Sequence, residues 1–340
     1  MPVRNEQDSI TRSLSSVLSQ DYRSDCLEVL IADGLSDDNT RIIVGEISQR
    51  DPRVRLINNP ARLMAAGFNT AFSHARGDVI LMLGGHAEMS KDYVSRCVSN
   101  LEEKRADCVG GVVETVGETK VGKAIALAMS SSFGVGGVDF RIGTSKEKYV
   151  DTVAFGAYSR DIIDRAGLLD ERFVRNQDDE YNYRIRKLGA RILLSPDINC
   201  RYYSRASLGA LWHQYLAYGY WKVRVAQRHP QQMRPRHFVP MLFVSALVLL
   251  FGIAPFSHVG LWLLGLTTSS YILANLAASV SLARTGKWHL LPLLPLTFAV
   301  LHISYGLGSL LGAVRFWSYW GRDKRRNEEQ EVLLQEVKHT

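Results

Sequence analysis

The chain has few cysteines and no apolar run near its start. Its four cysteines, Cys26, Cys97, Cys108 and Cys200, are widely separated and form no CxxC pair, and no histidine lies at zinc-ligand spacing from them. This pattern argues against a disulfide framework and favours buried or idle thiols in a reducing compartment. The first apolar segment long enough to serve as a signal peptide starts after residue 236. We therefore expect the preceding part of the chain to stay where it is made.

Charged residues are absent from two long segments. No Asp, Glu, Lys or Arg occurs between Arg236 and Arg284, or between Lys287 and Arg315. The first gap is longer than one membrane crossing of about 20 residues, and turn-forming residues around Pro255 lie near its middle. The sequence therefore predicts a helical hairpin over 238–255 and 259–283.

A third apolar segment, 288–314, leaves two possibilities open. It is long enough to cross a membrane, but a crossing would carry Arg315 and the RDKRR run outward, against the positive-inside tendency. Its prolines and glycines would also suit a bent or re-entrant segment. We predict about three hydrophobic segments within 237–315 and a charged C-terminal tail over 316–340, whose side stays open.

The formal net charge of +7 comes largely from basic residues beside these apolar segments. Cations in such positions face anionic lipid headgroups on the cytoplasmic side, so we expect a membrane partner and no nucleic acid. Between them and the N-terminal part, residues 204–236 interleave aromatic rings with cations. This segment is either an amphipathic helix in the headgroup layer or an ordinary helix that packs its aromatics inward.

The first 203 residues alternate short apolar runs with amphipathic stretches, which is typical of an α/β domain with a mostly parallel sheet and helices on both faces. Strands are predicted at LEVLIADG (27–34), GDVILML (77–83) and CVGGVVET (108–115). Helices are predicted at 9–20, 64–75 and 175–189, the last ended by Gly189. The opening MPVRNE resembles the junction of a strand with a loop, so we expect Met1 to be an internal methionine and the first strand to be truncated.

Polar side chains follow the first two strands. Arg4, Asn5 and Glu6 come after the first, and the ADGLSDDNT segment with Asp33 comes after the second. Loops at the carboxyl ends of parallel strands converge, and a nucleotide sugar could bind there. Each of these residues alone also fits ordinary turn and helix-cap chemistry.

Four motifs occur in order: MPVRNEQDSITRSLSSVLSQDY, EVLIADGLSDDNT, NPARLMAAGFNTAFSHARGDVILMLGGHAEM and GLLDERFVRNQDDEYNYRIRKLGARILLSPD. In order and spacing the chain resembles family 2 glycosyltransferases over about residues 1–200, and its membrane segments resemble the exopolysaccharide, succinoglycan-type members. The resemblance implies a Rossmann-like GT-A fold and a catalytic domain over 1–203. It assigns donor binding to Pro2, Val3, Arg4, Asn5, Glu6, Asp33, Asn69 and Gly85.

On the donor side, the chain departs from the family pattern in two motifs. Asp33 matches the aspartate that contacts the base, but Gly34 stands where many members have a second aspartate; uracil is the implied base. The DxD motif, which grips a divalent cation such as Mn²⁺ or Mg²⁺, reads Gly84-Gly85-His86 here. His86 is the remaining candidate metal ligand, and imidazole suits manganese better than magnesium.

The resemblance also implies a catalytic base at Asp178, counted back from Arg184. An inverting transfer needs one carboxylate to take the proton of the acceptor hydroxyl. Gln177 replaces the usual glutamate, and Asp179 and Glu180 lie close enough to leave the assignment of the base open between them. Without the resemblance, QDDE would be read as acids favoured by a helix N-terminus. The acceptor-side residues it assigns are Gly110, Gly111, Gly156, Gln177, Asp179, Gln214 and Trp221.

The function implied is transfer of a hexose, with UDP-glucose as donor, to a polyprenyl-diphosphate-linked glycan in exopolysaccharide biosynthesis. The QxxRW pattern of related synthases is absent, which disfavours processive synthesis. The expected location is the bacterial inner membrane, with the catalytic domain cytoplasmic. A degenerate nucleotide-sugar-binding scaffold of a polysaccharide assembly complex is the alternative. A transporter is disfavoured, because the apolar segments contain no acid-base pair.

Overall fold

The computed structural model describes residues 1–320, so most of the predicted tail, 321–340, lies outside the described residues. Within them the strands are β1 (Pro2–Val3), β2 (Val29–Asp33), β3 (Val54–Asn58), β4 (Val79–Leu81), β5 (Ala87–Met89), β6 (Cys108–Val116), β7 (Lys148–Tyr149), β8 (Ala157–Ser159) and β9 (Ile192–Tyr203). The helices are α1 (Ile10–Leu18), α2 (Thr40–Arg50), α3 (Met64–His74), α4 (Tyr93–Glu103), α5 (Lys120–Met129), α6 (Ser132–Val135), α7 (Asp139–Ile142), α8 (Arg160–Ala166), α9 (Gln177–Lys187), α10 (Leu208–Arg228), α11 (Val239–Ile253), α12 (His258–Ala283) and α13 (Leu294–Arg315).

The described chain divides into two compact units. The first contains residues 1–116 and 137–203, and the second contains residues 117–136 together with the chain from Ser204 onward. The first unit is an α/β structure, whereas the second is built from helices. Residues 117–136 therefore belong to the helical unit, although the residues before and after them in the sequence belong to the α/β unit.

The first unit contains two sheets with different pairing. In the first sheet β1, β2 and β3 are parallel in the order β1-β2-β3. The second sheet has the order β4-β8-β6-β9-β5, with β7 also paired to β9. Its only parallel described pair is β6 with β9. The predicted parallel arrangement is thus correct for the first sheet. It is wrong for most pairs of the second sheet, because the other pairs, β4 with β8, β6 with β8, β5 with β9 and β7 with β9, are antiparallel.

The predicted elements of the first unit form where the apolar pattern placed them. All five residues of β2 are buried, as expected for a continuous apolar strand in a parallel sheet. Small residues of α3 allow it to pack closely on β1, since a Cβ added to Gly67 would meet the Pro2 side chain at 2.7 Å. Helix α9 ends before Gly189, whose positive φ of 87° suits a helix C-terminus.

Three helices of the second unit are long and apolar enough to cross a membrane: Val239–Phe256, His258–Ala283 and Leu294–Arg315. The third begins six residues later than the predicted segment 288–314, because Trp288–Leu290 forms a short 3-10 turn and the α-helix opens with a proline in its first turn. Within the same unit α10 packs along α13, so the aromatic segment is a helix with a buried face. Its predicted place in the headgroup layer stays a prediction.

Candidate functional site

Two loops meet at the carboxyl edge of the first sheet. The backbone N–H of Asn5 donates to the Ser36 hydroxyl (3.0 Å), and the Asn5 side-chain oxygen accepts from the backbone N–H of Asp37 (3.1 Å). The Glu6 N–H donates to the Thr40 hydroxyl (2.8 Å). The predicted donor residues after β1 and β2 are therefore brought together, and hydrogen bonds between their loops hold them there.

Pro2 and Val3 of β1 are buried at this edge, whereas Arg4, the next residue, is exposed. A Cβ added to Gly34 would lie 3.3 Å from the Arg4 Cβ. The Arg4 side chain therefore already lies against Gly34, the glycine that replaces the second family aspartate.

Asp33 lies at the end of β2 and is fully buried. One carboxylate oxygen accepts from the Ser36 hydroxyl (2.5 Å), and the other accepts from the Ser36 N–H (3.1 Å) and the Arg41 guanidinium (2.6 Å). Arg41 also donates to the Asn58 side-chain oxygen (3.0 Å) at the end of β3. The residue predicted to touch the base is consequently covered by its own partners, and Arg41 is the group that reaches the surface.

The Gly84-Gly85-His86 motif lies beside the end of β1. His86 Nδ1 is 2.9 Å from a Glu6 carboxylate oxygen, and the Ser9 hydroxyl donates to the other oxygen (2.7 Å). A Cβ on Gly85 would approach the Val3 side chain at 3.0 Å. Glu6, predicted to bind the donor, instead orients the His86 ring, so that Nε2 is the ring nitrogen left for a ligand.

The described residues contain no group of three or more His, Cys, Asp and Glu side chains that could hold a metal ion. The neighbouring Glu88 does not complete one, because it accepts from the Tyr203 hydroxyl (2.8 Å) and pairs with Arg12 (3.4 Å). The His86–Glu6 pair therefore does not by itself fit a protein-held divalent cation, which requires further oxygen ligands.

Asn69 was predicted to bind the donor, but its amide groups are used elsewhere. It donates to the Leu169 carbonyl (2.9 Å) and to the Glu171 carboxylate (2.8 Å), and it accepts from the Leu169 N–H (2.9 Å). The side chain is buried. Asn69 thus ties α3 to the 169–171 loop that precedes α9, and its effect on a donor would be indirect.

The first turn of α9 contains four polar residues that the structure sorts by burial. Asp178 is exposed at the helix N-terminus, and Asp179 is half-buried and accepts from the Thr152 hydroxyl (3.2 Å). Glu180 is 1% exposed and pairs with Arg184 (3.0 Å). Gln177 is buried; its Nε2 contacts the Met64 sulfur (2.8 Å), and its Oε1 has no hydrogen-bond partner among the described residues.

A buried hydrogen-bond chain supports this turn. Asn182 is fully buried, donates to the Thr152 hydroxyl (2.7 Å) and accepts from the Tyr158 hydroxyl (2.8 Å). Burial, assisted by the neighbouring Cys108 and by the Asp178 charge, raises the pKa of Tyr158 well above its usual range. Tyr158 therefore stays protonated and continues to donate, which fixes Asn182 and, through Thr152, Asp179.

The three glycines predicted to let a sugar approach the backbone face protein instead. A Cβ on Gly110 would overlap Val153, and one on Gly111 would overlap the Ile198 carbonyl, at the irregularity between β6 and β9. One on Gly156 would lie 3.0 Å from the Cys108 sulfur. Tertiary neighbours thus fill the space that each missing side chain leaves, and the acceptor-side role of these glycines stays a prediction.

Gln214 and Trp221 lie on α10 in the second unit. Gln214 accepts from Arg205 (3.2 Å) and donates to the Tyr218 hydroxyl (2.9 Å). The Trp221 ring packs on Phe316, with centroids 5.6 Å apart. Both residues thus have partners within the helical unit, and their acceptor-side role stays a prediction.

Four residues that the sequence did not indicate make hydrogen bonds that support the site: Arg41, Asn58, Thr152 and Asn182. The signal for Asn58 was a polar residue directly after Leu56 and Ile57, in the same place relative to β3 as Asp33 is to β2. Arg41 had a weaker signal as the only cation in the first turn of α2. Thr152 and Asn182 are far apart in the sequence, and no local pattern joins them.

Comparison with known structures defines the class. The chain superposes on the Pyrobaculum calidifontis mannosyltransferase PcManGT, solved with GDP-Man and Mn²⁺, with a TM-score of 0.57 over 91% of this chain and 85% of that one, at 20% identity. The first unit accordingly has the GT-A fold of glycosyltransferases, as the sequence motifs predicted.

Sequence comparison gives the family. The family described as "Glycosyl transferase family 2" matches residues 1–166. The succinoglycan biosynthesis protein ExoA of Rhizobium meliloti is 32% identical over 69% of this chain and 72% of its own length. A dolichyl N-acetyl-alpha-D-glucosaminyl phosphate 3-beta-D-2,3-diacetamido-2,3-dideoxy-beta-D-glucuronosyltransferase of Methanococcus voltae is 29% identical over 64% of this chain and 70% of its own. The chain belongs to glycosyltransferase family 2 and is a glycosyltransferase.

Proposed function

We propose that this glycosyltransferase moves a hexose, with inversion, from a nucleotide-diphosphate sugar to a lipid-linked glycan, with Asp178 as the catalytic base. The observation that carries the proposal is the different exposure of the three acidic residues at the start of α9. Glu180 is committed to Arg184 and Asp179 to Thr152, whereas Asp178 is exposed at the helix end. Of the three, Asp178 has the most exposed side chain, which supports its assignment as the base.

In this mechanism Asp178 takes the proton of the acceptor hydroxyl as its oxygen attacks the anomeric carbon of the donor. The bond between that carbon and the diphosphate oxygen breaks at the opposite face, so the configuration inverts and the nucleoside diphosphate leaves. Gln177 and Asp179 flank the base and would orient the acceptor. The rigid Tyr158–Asn182–Thr152 chain supports this geometry, because a base must be held within hydrogen-bonding distance of its proton.

On the donor side, the exposed Arg4 and the His86 ring are the groups at the β1 edge that suit a diphosphate. A divalent cation would neutralise the leaving group when bound, and the Mn²⁺ in the PcManGT structure supports its use in this fold. In this chain the cation would be held chiefly by the donor diphosphate and water, with His86 as the protein contact.

The proposed acceptor is a polyprenyl-diphosphate-linked oligosaccharide at the cytoplasmic face of a bacterial inner membrane, and the proposed donor is UDP-glucose. Three helices able to span a membrane support a lipid-bound acceptor. So do the relatives, one named for succinoglycan biosynthesis and one for transfer to a dolichyl-phosphate-linked sugar. A transferase anchored in the bilayer meets such an acceptor by diffusion in two dimensions.

The test uses the full-length protein in membranes with lipid-linked acceptors and a panel of UDP- and GDP-sugars. Asp178→Asn should lower kcat by about 10²- to 10⁴-fold, the usual contribution of a positioned base. UDP affinity and the melting temperature should stay unchanged. Asp161→Asn, which alters an exposed acid on α8, is the matched control and should retain full activity. Wild-type rates from Asp178→Asn would refute the assignment.

A further inference from the structure

At the end of β2, a fully buried carboxylate pairs with a partly exposed guanidinium. The Asp33 side chain is 0% exposed, while its partner Arg41 is 37% exposed. A buried carboxylate is costly unless it is paired and hydrogen-bonded, and here the Ser36 and Arg41 donors meet that requirement. The carboxylate therefore holds the guanidinium in one place, while the guanidinium keeps a surface open to solvent.

The guanidinium is fixed from two directions. It donates through Nη1 to Asp33 at the end of β2 and through Nη2 to Asn58 at the end of β3. Two bonds to neighbouring strands set the plane of the group, and further N–H donors remain for a ligand. Asn58 is exposed, and because its oxygen accepts from Arg41, its amide NH₂ is also left as a donor.

The position of Arg41 on the sheet indicates which part of a nucleotide it would meet. The Gly84-Gly85-His86 motif packs on Val3 and Glu6, at the β1 side of the first sheet. Arg41 and Asn58 lie at the β2–β3 side, two strand spacings or about 10 Å away. If the diphosphate binds at the motif, the ribose separates it from the base, so the far side of the edge is where the base belongs.

We infer that Arg41, positioned by Asp33 and Asn58, selects a donor nucleobase that carries a carbonyl oxygen where cytosine and adenine carry an amino group, which means uracil or guanine. The inference rests on the proposed nucleotide-sugar function. A guanidinium only donates hydrogen bonds, so it pairs with the O4 of uracil or the O6 and N7 of guanine. Cytosine and adenine present an amino group at the equivalent edge, so two hydrogen-bond donors would face each other. Asp33 is a positioning residue in this arrangement and does not contact the base.

The experiment measures the affinity of the full-length protein in detergent for UDP, GDP, CDP and ADP by calorimetry. Wild type should bind UDP or GDP more tightly than CDP and ADP. Arg41→Lys keeps the positive charge beside Asp33 but loses the planar fork, so affinity for the preferred diphosphate should fall about tenfold, the worth of one charge-assisted hydrogen bond. Affinity for CDP and ADP should stay within about twofold, so that selectivity collapses.

Arg50→Lys makes the same exchange at the exposed end of α2, and it should leave all four affinities unchanged. If Arg41→Lys lowers the melting temperature, the Asp33→Asn/Arg41→Gln double variant removes both charges and should show the same collapse. An equal loss for all four diphosphates would mean that Arg41 contacts phosphate or ribose and would overturn the inference. An unchanged affinity in the variants would also overturn the inference. Wild type that binds none of the four would overturn the proposed function as well.

Discussion

In the first unit, hydrogen bonds from side chains join loops that are distant in the sequence, whereas in the second unit helices meet backbone to backbone at glycines. Asn5 with Ser36, and Asn69 with Leu169, are examples of the first kind. Of the second kind, a Cβ on Gly308 of α13 would overlap the Leu216 carbonyl of α10.

The difference reflects what each unit must do. A catalytic site needs polar groups held in fixed directions, and directional hydrogen bonds provide this. Helix α13 is apolar enough to cross a membrane, and a helix in lipid gains no hydrophobic free energy from leaving lipid for a neighbour, so close packing at small residues would drive its association. Polar substitutions should therefore perturb the first unit most, and added volume should perturb the second.

The largest effect is expected at Arg184, which pairs with the buried Glu180 and donates to the Ala166 and Leu168 carbonyls. Arg184→Ala leaves a buried carboxylate without its cation, which should lower the free energy of unfolding by about 3–5 kcal/mol.

The control for Arg184→Ala is the exposed i,i+4 pair of Arg165 with Asp161 on α8. Asp161→Ala should cost about 0.5 kcal/mol. Urea unfolding monitored by far-ultraviolet circular dichroism measures both. Equal losses would show that burial does not distinguish the two pairs.

The next effect is expected from volume added between α10 and α13. Gly308→Ala should lower the stability of the helical unit by about 2–3 kcal/mol, because the neighbour is backbone and cannot rotate away.

Gly265→Ala on α12 adds the same methyl group where no other atom lies within 4 Å. It should change stability by less than about 0.5 kcal/mol. Thermal unfolding in detergent, followed by size-exclusion chromatography with fluorescence detection, compares them. Gly308→Ala as stable as Gly265→Ala would contradict close packing at this glycine.

The smallest effect on stability is expected at Gly84, a glycine of the first unit with free space. A Cβ there has no neighbour closer than the Phe155 ring at 3.8 Å, so Gly84→Asp should fold as wild type does. The new carboxylate lies near His86 and should raise Mn²⁺ affinity in the presence of UDP about tenfold, because carboxylate and imidazole both suit this ion. Electron paramagnetic resonance of free Mn²⁺ measures the change, with Gly77→Asp as the control. A Gly84→Asp protein that binds Mn²⁺ no better than wild type would contradict the expectation.

Much of this molecule could be predicted from local patterns. The buried run of β2, the amphipathic α1 and the glycine-ended α9 lie where their residues indicated, because periodicity, burial and capping act over a few positions. The family motifs gave the GT-A fold and the glycosyltransferase class for the same reason, since each is a contiguous segment.

Only the tertiary structure decided which polar residues are buried and which remain exposed. The sequence suggested Asp33 for the base and Gly110 for the acceptor, yet Arg41 covers the first and Val153 fills the space beside the second. Hydrogen bonds and packing between distant segments determine exposure, and no local pattern records them. The sequence by itself therefore determined the elements, the family and the apolar helices, whereas the fold determined which of its charges are buried as supports and which remain at the surface.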